Sequence, residues 1–174
     1  MAGRSWSGVS HPFMRPAGRP GVSPILDGAL LIGEYPTPDD VVWLREEHGI
    51  EAVLSLQDDF DLAYKSLDVA ALRRAYAGAG VEWHRFGITD GEPRDVLRVL
   101  GPVLETLHRL LEQGCCVYVH CNAGFNRAPT IAIAYLHAHC GLGIDEAHDR
   151  VRARRACAPY LTVLRGYFSR DSSS

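Results

Sequence analysis

The chain is predicted to adopt an α/β fold: a central, mostly parallel sheet flanked by helices, with a loop between the last strand and a buried helix. Two observations carry this. Short apolar runs of strand length alternate with longer stretches of helical periodicity, as in sheets whose strands are joined by crossover helices. Residues Ala128–Ala138 are apolar on nearly every side, so the helix they form belongs in an interior. At 174 residues the chain has the length of one domain with its own core.

In chain order, Ala29–Gly33 is a short apolar strand. Pro38 opens a helix to about His48, with Asp39 and Asp40 in its first turn, where the helix dipole favours acids. Ala52–Leu56 is the next strand. Asp61–Ala79 carries Leu62, Leu67, Ala70, Ala71 and Leu72 at helical spacing and ends in a glycine-containing turn. Val81–Ile88 is predicted as a strand and Thr89–Arg94 as a loop. The Leu/Val periodicity of Val96–Leu111 predicts a helix stopped by Gly114. Cys115–His120 is the last strand; after the buried helix, Ile144–Arg155 and Tyr160–Phe168 close the domain as helices. In such sheets, sites lie beyond the carboxyl ends of the strands, where the loop 120–127 falls.

Composition bounds what the chain does. Apolar residues make up 47% and charged residues 22%, ordinary values for a soluble globular protein. A net charge of −3 gives no reason to expect nucleic acid or an anionic membrane as a partner. No apolar run approaches the roughly 20 residues of a membrane-spanning helix. The five cysteines are an odd number, and Cys115 and Cys116 are adjacent, so a disulfide framework is not indicated and a reducing, cytoplasmic compartment is. His137 and His139 point to different faces of one helix and make no metal site. Residues 1–22 are rich in Gly, Pro, Ser and Arg, with no acid before Asp27, which predicts a disordered leader. The same bias fits an organelle transit peptide, although repeated Pro and Gly oppose the amphipathic helix such peptides form. Residues 23–170 form the domain and 171–174 a disordered tail.

The chemistry concentrates in residues 117–130, Val-Tyr-Val-His-Cys-Asn-Ala-Gly-Phe-Asn-Arg-Ala-Pro-Thr. A strand delivers His120 and Cys121, Arg127 follows within the same short loop, and a helix begins. A cysteine is a nucleophile as its thiolate; its ordinary pKa of about 8.5 falls to roughly 3.5–7.5 at a helix N-terminus or beside a cation. The backbone N–H groups that stabilise a thiolate also hold phosphate oxygens. Arg127 adds a planar fork suited to two such oxygens at once, and Gly124 keeps a side chain out of the bound anion's way. Asn122 and Asn126 brace the loop through side-chain-to-backbone bonds, with Ala123 and Phe125 completing it.

This segment resembles the active-site signature of the cysteine-dependent protein tyrosine phosphatases, His-Cys-x5-Arg, and within them the dual-specificity branch. The resemblance implies a dual-specificity phosphatase fold and a cofactor-free mechanism. Cys121 would attack phosphorus, Arg127 and the loop amides would bind the equatorial oxygens, and a general acid on a separate loop would protonate the leaving group. Asp90, thirty-one residues before Cys121, holds the acid's place, with Glu92 and Asp95 as rivals. His120 is expected to organise the loop. Ala128 departs from the Ser or Thr usual in the family, which implies slow breakdown of the phosphoenzyme.

The Arg-Ala-Pro ending also resembles plant glucan phosphatases, as do Leu31–Gly33, Pro36–Val41, Leu56–Leu62, Ile88–Asp90 and Arg155–Pro159. That likeness places Tyr64 among the rings that contact sugars, while Lys65, Gly91 and Ala158 stand where further rings are expected, and Phe60, Phe125, Trp83 and Tyr160 are substitutes. The expected activity is therefore that of a monomeric phosphatase of phosphotyrosine, phosphoserine and phosphothreonine proteins. Phosphorylated glucan is the alternative substrate, and a non-catalytic phosphate-binding module a further alternative. A loop whose single cation is Arg127 disfavours phosphoinositides.

Overall fold

The structure, a computed structural model, describes residues 18–171, with side chains as far as Ser169. Five strands, β1 (Val22–Leu26), β2 (Leu30–Gly33), β3 (Ala52–Ser55), β4 (Glu82–Arg85) and β5 (Val117–His120), form one sheet in the order β1-β2-β5-β3-β4. Only the β1–β2 pair is antiparallel. Successive residues of a strand point to opposite faces, and helices cover both. Leu30, Ile32, Ala52, Leu54, Val117 and Val119 share a core with α4 (Val96–Glu112), α5 (Arg127–Cys140), α6 (Ile144–Arg154) and α7 (Leu161–Asp171). Leu31, Val53 and Tyr118 face α1 (Val41–His48), α2 (Asp59–Tyr64) and α3 (Val69–Gly78). No helix among the described residues is long and apolar enough to cross a membrane.

The last strand in sequence, β5, is the central one in space, and His120 pairs with Gly33 on one side and Ser55 on the other. The loop leaving β5 therefore emerges in the middle of the sheet's carboxyl edge. Segments that follow β3 and β4 end beside it, so three strands supply one site.

The structure departs from the sequence expectation in four elements. The single helix predicted over 61–79 is two, because Ser66 adopts φ 53 and Asp68 starts a new helix by accepting a hydrogen bond from the Ala70 amide at 2.8 Å. Leu62, Leu67 and Leu72 lie five residues apart, about 140° around a helix at each step, so no single helical face runs across that break. The strand predicted over 81–88 is regular only across Glu82–Arg85, although Phe86 and Ile88 still donate to Ser55 and Leu56. Cys115 and Cys116 precede β5 rather than belonging to it. Strand β1 was not expected; its Pro24, which lacks an amide hydrogen, is tolerated on the sheet's edge, beside a register shift.

Val22 opens β1, and Arg19 already joins the fold. Its Nη1 donates to the Asp39 carbonyl at 2.7 Å and pairs with buried Asp40 at 3.1 Å, and its guanidinium lies 5.5 Å from the Trp43 ring. Residues 1–17 and 172–174, where composition predicts most of the leader and the tail, lie outside the described residues.

Two buried tyrosines in the α1–α3 layer behave oppositely. Tyr118 donates its hydroxyl to the Glu34 carbonyl at 2.6 Å, whereas the Tyr76 hydroxyl is buried without a partner, its ring stacked on Trp83 at 5.3 Å. A made hydrogen bond contributes about 1 kcal/mol net, whereas a buried hydroxyl left unpaired costs about 1–3 kcal/mol. Urea unfolding is expected to show Tyr76→Phe as stable as the parent or more so, and Tyr118→Phe less stable by about 1 kcal/mol.

Candidate active site

The loop from Cys121 to Asn126 joins β5 to α5 and is held from outside by its carbonyls. Tyr35 donates its amide to Asn122 O at 3.1 Å, and Arg155 donates to Ala123 O at 2.9 Å and to Gly124 O at 2.8 Å. With three successive carbonyls turned outward, the N–H groups of residues 122–126 have no acceptor among the described residues. These amides are left as donors that an anion can engage. Gly124 has φ +62, and a Cβ there would sit 2.6 Å from the Gly33 backbone. Close approach of loop and β2 thus demands glycine at 124.

Arg127, which follows the loop and starts α5, is only 1% exposed. Its Nη1 donates to Asp61 Oδ2 at 2.6 Å, Ile88 O at 2.7 Å and Leu56 O at 3.3 Å. Burial works against its charge, but Cys121, Asp61 and Asp90 outweigh burial and raise its pKa above the ordinary arginine value. Nε and Nη2 are buried and have no hydrogen-bond partner, although Nε lies 3.4 Å from Asp90 Oδ1. A cavity of about 670 Å³ is lined by Cys121, Arg127, Asp90, Asn122, Phe125 and Asn126, with Ala123 at its wall.

The structure places each sequence-predicted residue. His120 is buried below the loop, its Nδ1 3.2 Å from Cys121 O. Burial is the main cause that takes its pKa down to about 4, with Arg127 adding to it. Asn122 does not brace backbone as expected: it accepts from buried Gln57 Nε2 at 2.8 Å, and its Nδ2 donates to buried Asp61 Oδ1 at 2.6 Å and, at 3.4 Å, to Asp90 Oδ2. Asn126 does brace backbone, donating to Ala158 O at 2.7 Å. Thr130 accepts from the Tyr160 amide and donates to Asn126 O, so its hydroxyl is committed away from Cys121.

Among the three candidate acids, Asp90 alone lines the cavity. Asp95 accepts from the Thr89 amide at 2.7 Å and from Arg98 Nε at 2.9 Å. Arg98 first, then Thr89, hold its pKa at about 2. Glu92 is exposed and lines neither cavity.

Tyr64 lies in an adjoining cavity of about 380 Å³ that shares Asp90 and Asn122 with the first. It is 59% exposed and stacks on the 75% exposed Phe60, ring centres 6.2 Å apart. Three residues of this site escaped sequence reasoning: Asp61, Gln57 and Arg155. Asp61 carries a local signal as the reciprocal capping partner of Asp58 at the start of α2, which explains its place in a helix but not its contact with Arg127. The described residues contain no group of three or more His, Cys, Asp or Glu placed to hold a metal.

A cysteine and an arginine sharing one loop at the carboxyl end of a central parallel strand define the class of proteins built on the protein tyrosine phosphatase fold. Residues 33–161 match the family described as dual specificity phosphatase, catalytic domain, and the chain belongs to that family. It is 30% identical over 161 residues to the amyloplastic phosphoglucan phosphatase DSP4 of Castanea sativa, across 91% of this chain and 40% of that protein. It is 29% identical over 143 residues to the phosphatidylglycerophosphate phosphatase PTPMT1 of Arabidopsis thaliana, across 79% of this chain and 40% of that protein. The chain thus spans about two fifths of the length of these relatives. The crystal structure of PTPMT1 has the same fold, with a TM-score of 0.72 at 22% identity, covering 88% of this chain and all of that one.

His120 ties stability to pH. Its folded pKa of about 4 lies below the ordinary 6.5, so the unfolded chain binds the proton more readily. Its contribution is fully present above pH 6.5 and is lost as pH falls toward 4. Denaturant titrations are expected to show about 2 kcal/mol less stability from this group at pH 5 than at pH 7, and His120→Asn is expected to flatten that slope.

Proposed function

We propose that the chain hydrolyses phosphomonoesters through a phosphocysteine intermediate. The observation that carries this reading is the Nε/Nη2 edge of Arg127, buried without a hydrogen-bond partner on the cavity that also contains Cys121. A buried guanidinium edge beside a loop of unpartnered amides suits an oxyanion, and a side-on pair of N–H groups matches two phosphate oxygens. The Cys121 thiolate attacks phosphorus, the P–O bond to the leaving group breaks, and Asp90 gives its proton to the departing oxygen. Water then attacks phosphorus, Asp90 takes the proton, and Cys121 leaves as thiolate. Of the three candidate carboxylates, Asp90 alone lines the cavity, while Asp95 is engaged by Arg98 and the Thr89 amide and Glu92 is exposed, and this supports Asp90 as the acid.

The reading extends to a monomer in a reducing, cytoplasmic compartment, acting on phosphoproteins without metal or organic cofactor. The odd cysteine count and a thiolate nucleophile support the compartment. A second reading, phosphorylated glucan, rests on one observation: Phe60 and Tyr64 present stacked, solvent-facing rings in the cavity next to Asp90. Sugar rings bind by such stacking, and a relative is named for phosphoglucan. Lys65 Nζ lies 5.4 Å from the Tyr64 ring centre, a cation where a further sugar-stacking ring is otherwise expected, and this keeps phosphoprotein first.

Hydrolysis of para-nitrophenyl phosphate tests the reaction itself. Cys121→Ser is expected to abolish turnover, and Asp90→Asn to lower kcat by about 10²-fold; an unaffected Cys121→Ser overturns the mechanism. At matched concentration, phosphotyrosyl peptide is expected to exceed phosphorylated amylopectin and phosphatidylglycerophosphate in kcat/KM. The reverse order for amylopectin selects the glucan reading.

Ala128 is fully buried and brings no hydroxyl toward Cys121, and Thr130 supplies none in its place. A pre-steady-state burst is therefore expected. Ala128→Ser, by adding one hydrogen bond to a charged sulfur, is expected to raise kcat about tenfold and shrink the burst. A linear time course in the parent protein removes this account.

A further inference from the structure

We propose that Asp61 is the positioning residue that decides which edge of the Arg127 guanidinium meets the substrate. Arginine carries five N–H donors, and the protein itself must absorb some so that the others stay available. Nη1 is surrounded by three acceptors: Asp61 Oδ2 at 2.6 Å, Ile88 O at 2.7 Å and Leu56 O at 3.3 Å. Its two hydrogens are thereby consumed. What remains is the Nε/Nη2 edge, which carries no hydrogen bond, on a residue that lines the cavity.

Of the three acceptors only Asp61 is charged, and it is 4% exposed, so the pair is shielded from water. Asp61 is itself fixed on both sides. Asn122 Nδ2 donates to its Oδ1 at 2.6 Å, and the Asn122 oxygen accepts from Gln57 at 2.8 Å, which settles which way the amide faces. The Asp58 amide donates to Asp61 Oδ2 at 3.2 Å while Asp58 accepts the Asp61 amide at 2.8 Å, the reciprocal cap that starts α2. The start of a short helix thus sets a carboxylate, the carboxylate sets a guanidinium, and the guanidinium sets the anion's orientation. Asp90 is held more loosely: 40% exposed, it lies 3.4 Å from Nε and accepts from Asn122 Nδ2 at 3.4 Å, so it can yield that edge to an arriving phosphate.

This inference rests on the phosphatase reading, and oxyanion binding tests it separately from turnover. Tungstate affinity is measured by calorimetry and kcat/KM with para-nitrophenyl phosphate, in the full chain. Asp61→Asn, of equal size but uncharged, is expected to weaken tungstate binding and to lower kcat/KM, each by about 100-fold. In an Arg127→Lys background, which keeps charge but has no fork, the same substitution is expected to change tungstate binding less than about threefold. Asp59→Asn, on the same helix turn but exposed and paired with Arg85, is expected to change neither quantity. Should Asp61→Asn fail to fold, Asp61→Glu replaces it, keeping the charge while displacing the carboxylate by one methylene, with the same expected losses. Tungstate affinity unchanged in the folded Asp61 variant, or lowered equally in both backgrounds, overturns the proposal. Hydrolysis absent from the parent protein defeats the phosphatase reading alone, since the tungstate comparison still stands.

Discussion

A guanidinium buried to 1% exposure has to be compensated on every donor that does not serve a ligand, because an uncompensated buried charge costs several kcal/mol. The fold meets that demand by bringing three strand ends together. Leu56 follows β3 and Ile88 follows β4, and both turn their carbonyls to Arg127, which itself closes the loop after β5. Because β5 lies beside β3, and β3 beside β4, these ends converge on one point. The sheet order is thus a precondition of the anion site, and the first turn of α2 completes the enclosure.

The elements legible from sequence were those whose signal is local. The run from Val117 to Thr130 contains a strand, a glycine-bearing loop and a helix within fourteen residues, and all appear as expected. Helix α4 was marked by regular Leu and Val spacing, which matches its continuous buried stripe from Val96 to Leu110. The break between α2 and α3 was hidden because its cause is a backbone conformation at Ser66, and serine carries no warning of a positive φ as glycine or asparagine does. Strand β1 escaped because proline weighs against a strand unless one knows that the strand lies at an edge, which only the assembled sheet reveals.

The site divides in the same way. Cys121, Gly124 and Arg127 share one loop and were readable from spacing. Asp90 was the first choice among three carboxylates from its place in the chain, and of the three it alone lines the cavity. Asp61 lies 66 residues from Arg127, Gln57 lies 65 from Asn122 and Arg155 lies 31 from Gly124. No local pattern links such pairs, since they become neighbours only when the strand ends meet. The expectation that Asn122 braces backbone failed for that reason: its true partners lie on a distant helix turn and the segment before it.

Lys65 is the sole primary amine among the side chains, every other cation of the lysine–arginine kind being a guanidinium. It sits on the lip of the second cavity, its ammonium 5.4 Å from each of the Tyr35 and Tyr64 ring centres. Acylating reagents, reductive alkylation and isopeptide conjugation all require an amine, so within the chain they share a single internal address, on the cavity that adjoins Cys121's. A bulky adduct there would crowd the entrance, and a small neutral one would strip the positive charge from the rings that frame it.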